Sequence, residues 1–154
     1  MPRPAQQPIG LHLARTARSV SRAFDDALAQ AGGSVPVWLV LISLKSQQRR
    51  NQRELAEAVG IREATLTHHL NAMDELGLIT RRRDPANRRV HLVELTEAGE
   101  AAFERMRGAA AAFDQRLRAG LRGDEVTLLA GLLDRLAANV SGGAGRAGQG
   151  GSLG

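Results

Sequence analysis

The chain has no cysteine and no tyrosine, one tryptophan and three phenylalanines. Without cysteine there is no disulfide framework, no thiolate metal ligand and no thiol redox switch. Aromatics make up 3% of the residues, so the core must be built of Leu, Ala and Val, a composition that suits helices. No apolar run approaches the roughly 20 residues of a membrane-spanning helix. The opening residues Met1 to Gly10 lack the apolar stretch of a signal peptide. No membrane partner is expected, and the cytoplasm is the expected location. The sequence also offers no phosphate loop, no nucleophile with a base in reach and no paired carboxylates on one helix face. Neither an enzyme nor a cofactor is expected.

What is present is 154 residues, 43% of them apolar, enough for one domain with a real core. The net charge of +5 is unevenly spread. Residues 45–91 carry ten Lys or Arg against six Asp or Glu, whereas residues 92–154 carry seven against eight. A localised basic excess is the footprint of a polyanion partner; a solvated basic face has the same composition.

Met1 to Pro8 reads as a flexible arm. From Ile9 to Ala31, Leu13, Ala17, Val20, Phe24 and Leu28 fall on one helix face. Gly32-Gly33 ends that helix, and Ser34 with Pro36 can start a second. The second carries Val37, Trp38, Val40, Leu41, Ile42 and Leu44, apolar nearly all round, and is expected at the centre. Trp38 is read as a core residue rather than a pocket wall. Asn51 followed by Glu54 has the form of a capping box over a helix from Gln52 to Val59. Gly60 breaks that helix. In the next, Leu66, Leu70, Met73 and Leu76 form an inner stripe, leaving Arg62, Glu63, Thr65, Thr67, His68 and Asn71 on the other face, and Gly77 ends it.

Leu78–Arg83 and Arg89–Leu95 read as strands of a hairpin around Asp84-Pro85-Ala86-Asn87. Thr96 caps a long helix, and Asp124 opens a last one with Val126, Leu129, Leu132, Leu133, Leu136 and Val140 at helical spacing. The Gly-rich residues 141–154 read as a disordered tail.

Helix, tight turn, helix and arginine-rich hairpin is the order in which a protein presents a helix to the major groove with a hairpin beside it. The outer face Arg62, Glu63, Thr65, Thr67, His68 and Asn71 can hydrogen-bond base edges or phosphates; the alternative is a solvated face. Of the hairpin arginines, Arg88 and Arg89, with Arg82, are the candidates for DNA contact, since a guanidinium enters a narrow minor groove readily. His68 and His69 are adjacent and point about 100° apart, so they cannot share a metal ion. No metal site is expected.

The residues Leu55-Ala56, Gly60-Ile61, Thr65-Leu66-Thr67, Met73, Gly77-Leu78, Asp84-Pro85, Arg88-Arg89 and Leu95-Thr96 with Gly99 resemble the MarR family of winged helix-turn-helix regulators. The likeness is close over residues 35–99. It implies a mainly α fold with a small β-hairpin wing, and a homodimer with a recognition helix in each of two major grooves. It also implies double-stranded DNA as partner and, in many members, release by a small-molecule effector. The expected organisation is one domain over 9–140: a DNA-binding lobe at 35–95, and dimerisation helices at 9–31 and 96–140. Leu13, Val20, Phe24, Leu129, Leu133 and Leu136 are the expected interface residues. The expected function is a transcriptional regulator, a repressor on a near-palindromic operator. The alternative is a winged helix used as a protein-interaction module. The sequence departs from the family at the wing tip, where Asn87 stands in place of the usual aspartate before Arg88-Arg89.

Overall fold

A computed structural model describes residues 7–47 and 50–142. The helices are α1 (Ile9–Gln30), α2 (Val35–Ser46), α3 (Gln52–Val59), α4 (Glu63–Glu75), α5 (Glu97–Leu117) and α6 (Gly123–Ser141). The strands are β1 (Arg50–Asn51), β2 (Ile79–Arg83) and β3 (His91–Leu95), in one antiparallel sheet of order β1-β3-β2. The chain divides after Asp114 into two units, described separately below. Most of the expected arm (residues 1–6) and tail (residues 143–154) lies outside the described residues.

Local chemistry accounts for most of the boundaries. Ser34 accepts a bond from the Val37 N–H, with Pro36 in the first turn of α2. Asn51 caps α3 by accepting from the Glu54 N–H at 2.8 Å, while the Glu54 carboxylate accepts from the Asn51 N–H at 3.3 Å. Gly60 closes α3 at φ 76°, a left-handed conformation that favours glycine.

The core of the first unit draws Leu28 from α1, Val40, Leu41 and Leu44 from α2, and Leu55 and Ala56 from α3. Leu66, Leu70 and Met73 come from α4, Ile79 and Val93 from the sheet, and Ala102 and Met106 from α5. Trp38, half-buried, packs against this core and stacks on Phe103 at 5.5 Å. Over Phe103 also lies the Lys45 ammonium, ion-paired with Glu100. In the second unit α6 has no buried residue; Leu129 and Leu133 are exposed and Leu136 is half-buried.

Three expectations change. Strand β1 joins the wing, with Arg50 opposite Val93 and Asn51 opposite Leu92. Leu76 is 71% exposed rather than on the inner stripe. It is the C-cap residue after the last residue of α4, where at about 100° per residue it sits at the edge of the Leu66–Leu70–Met73 stripe. The returning strand starts at His91, so Arg88 and Arg89 belong to the turn and not to the strand. Phe24, half-buried, has its ring 5.1 Å from that of Phe113 in its own chain.

Candidate nucleic-acid interface

Helix α4 lies on the core through Leu66, Leu70 and Met73, which are fully buried. Residues half a turn away must face outward. Arg62, Glu63, Thr65, His68 and Asn71 are exposed, and Thr67 is half-buried. The start of α4 differs from the starts of α2 and α3. Its cap residue is Arg62, which makes no side-chain cap bond. The backbone N–H groups of the first turn stay open toward solvent, with the positive end of the helix dipole behind them.

The hydroxyl of Thr67 is committed. It donates to the Glu63 carbonyl at 2.9 Å and accepts from the Gln52 side-chain amide at 3.3 Å. A threonine has one O–H donor, so Thr67 has none left for a phosphate oxygen. It retains a methyl group and one acceptor position. Gln52, the first residue of α3, therefore helps set the recognition face; the sequence shows no local sign of this, because its partner lies 15 residues away. His68 and His69 stand edge to face at 5.7 Å.

The wing arginines fall into two groups. Arg81 is tied to Asp74 of α4, donating Nε and Nη2 to one carboxylate oxygen at 3.1 and 3.0 Å. Arg82 is tied across the sheet to Glu94 at 2.8 Å. In the free chain the Arg82 guanidinium is thus engaged in a solvent-exposed ion pair, a weak tie that a phosphate can compete for. Arg83, Arg88 and Arg89 are exposed and form no ion pair among the described residues. Arg83, at the end of β2, joins Arg82, Arg88 and Arg89 as a candidate.

The wing tip is fastened by its own side chains. Asp84 accepts from the Ala86 N–H at 2.9 Å, and Asn87 accepts from the Arg89 N–H at 3.2 Å. Both are Asx turns. Asn87 holds the backbone of Arg89, not its guanidinium, so the departure from aspartate leaves the turn intact. At the base of the wing, the Thr96 hydroxyl donates to the Gly77 carbonyl and accepts from the Gly99 N–H. The Thr96 N–H donates to the Leu78 carbonyl at 3.1 Å. One residue thereby joins the end of α4, the start of β2 and the first turn of α5.

This arrangement presents an uncapped helix face and unpaired guanidinium groups on neighbouring elements. Groups of that kind bind a polyanion: the helix supplies directional bonds and the arginines supply charge.

The MarR family profile matches residues 34–91, which span α2 to the start of β3. Among solved structures, the transcriptional repressor CouR bound to a 23-mer DNA duplex is 30% identical. The match covers 84% of this chain and 92% of that one, with a TM-score of 0.76. A mutant MarR from E. coli complexed with operator DNA is 25% identical, over 84% of this chain and 93% of that one, with a TM-score of 0.73. The PcaV regulator from Streptomyces coelicolor in complex with its natural ligand is 26% identical, over 87% and 97%, with a TM-score of 0.72.

Proposed function

The chain belongs to the MarR family, and on that premise we propose that it is a transcriptional regulator binding double-stranded DNA as a homodimer. The observation that carries this is the exposed outer face of α4 beside a wing whose Arg83, Arg88 and Arg89 form no ion pair among the described residues. A protein-interaction module is disfavoured, because two of the similar structures are described as bound to DNA.

In this reading α4 enters the major groove. Arg62 and His68 face guanine edges, the Thr67 methyl faces a thymine methyl, and Thr65 and Asn71 reach phosphate or base. Glu63 accepts from a base or orients Arg62. Arg88, Arg89 and Arg83 follow the backbone, and Arg89 reaches into the flanking minor groove. Two such lobes related by a two-fold axis read a near-palindrome, with half-sites about 34–36 Å apart. Leu13 and Val20 of α1 and, separately, Leu129, Leu133 and Leu136 of α6 are apolar surface for a second copy to cover.

The protein acts as a repressor where its operator overlaps a promoter. A small molecule is proposed as effector, on the strength of the ligand-bound PcaV. No single helix among the described residues is long and apolar enough to cross a membrane. We place the protein with the chromosome, in the cytoplasm. Selection of bound sequences from a random duplex library is the test. Enrichment of a palindromic motif is the expected result; a flat library after several rounds removes the reading.

A further inference from the structure

Resting on the DNA-binding reading above, we propose that Asp74 is a specificity-determining positioning residue. Through Arg81 it fixes the angle between α4 and the wing, so that one duplex meets both at once. Asp74 lies in the last turn of α4, the negative end of the helix dipole, where a carboxylate is unfavourable. It also adds negative charge to an element that approaches a polyanion. Both effects oppose its presence, so what it contributes is geometric.

The geometry is specific. Arg81 sits opposite buried Val93 in the β2–β3 register. Its side chain is only 23% exposed, and both Nε and Nη2 converge on Asp74 Oδ2. The pair bridges the turn Leu76–Leu78, where Gly77 at φ 69° is the backbone pivot between helix and strand. On the pivot itself, the Gly77 N–H donates to the Asp74 carbonyl and the Leu78 N–H to the Met73 carbonyl, both at 2.9 Å, as backbone restraints. The Asp74–Arg81 brace adds a side-chain strut across the same turn. Arg81 is held in this strut and is not one of the arginines offered to DNA.

Helix and wing are two linked binding contacts, and their combined strength depends on being held at matching positions. Loosening the strut therefore lowers affinity for an operator that needs both contacts. It does not lower affinity for arbitrary duplex, which follows charge.

The test compares binding to the selected operator and to a random duplex of equal length, with a thermal midpoint for each protein. Asp74→Asn raises the net charge of each chain by one. It is expected to bind random duplex as tightly as wild type or more tightly, and to lose about tenfold on the operator, a few-fold per lobe compounded over two lobes. The charge-swapped pair, Asp74→Arg with Arg81→Asp, keeps the net charge and is expected to recover most of the discrimination. Equal tightening on both duplexes in Asp74→Asn overturns the proposal, leaving Asp74 as a charge alone. Equal weakening on both, with a lowered midpoint, overturns it in favour of a merely structural pair. A folded charge-swapped protein that stays indiscriminate overturns it as well. A wild type without selectivity for any duplex removes the regulator reading, and this inference with it.

Discussion

Replacing Arg89 with alanine should change how binding depends on salt far more than replacing Arg82. Each phosphate-neutralising contact releases condensed counterions and contributes about 0.9 to the slope of log affinity against log salt. Arg89 is exposed and forms no ion pair among the described residues, whereas Arg82 donates to Glu94 at 2.8 Å. A dimer carries two wings, so Arg89→Ala should flatten the slope by about 1.8. Between about 50 and 200 mM salt, a fourfold change, wild type should therefore lose roughly tenfold more affinity than the variant. Arg82→Ala removes a cation already engaged and should shift the slope by less than about 0.5. The assay is fluorescence anisotropy of one labelled operator across that salt series. Equal flattening in both variants would show that the Arg82–Glu94 pair opens on binding. An unchanged slope in Arg89→Ala would move the wing contact to Arg83 or Arg88.

Three further outcomes are expected. A Cβ on Gly99 would lie 2.0 Å from the Leu78 carbonyl oxygen, whereas one on Gly33 would meet only the flexible end of Met106 at 2.4 Å. In urea denaturation Gly99→Ala should cost about 3 kcal/mol or more and Gly33→Ala about 1 kcal/mol, and the reverse order would contradict the contact geometry. His68→Ala should cost on the order of 1–3 kcal/mol at one base pair of each half-site; a uniform loss across all sequences would make His68 a phosphate contact. Leu129→Asp with Leu133→Asp places charge in the proposed subunit interface and should give monomers or unfolded chain, so an intact dimer in sedimentation would exclude α6 from that interface.

The elements that were legible in the sequence are those whose causes are local. Asn51 and Glu54 are three residues apart, and their reciprocal bonds need nothing beyond one helical turn. Gly60 marks a left-handed turn by its lack of a side chain. Leu66, Leu70 and Met73 repeat at helical spacing and are buried. What was not legible depends on partners distant in the chain. Strand β1 is two residues long and exists because Arg50 meets Val93 across the sheet. Five arginines in one hairpin look alike in the sequence, and only Asp74 and Glu94 separate Arg81 and Arg82 from the others. Asn87, where the sequence departs from the family, bonds the Arg89 backbone two residues on.

The Thr96 hydroxyl serves two helices at once, closing the end of α4 through Gly77 and opening α5 through Gly99. A shift of either end away from Thr96 breaks one of these two bonds. The DNA-facing helix and the first turn of α5 thus form one mechanical body, and coupling through such a body is reciprocal. If a molecule displaces α5 and weakens DNA binding by some factor, bound DNA must weaken that molecule's binding by the same factor. Operator DNA is then an effector in its own right: saturating it should lower the affinity of any ligand that acts through α5.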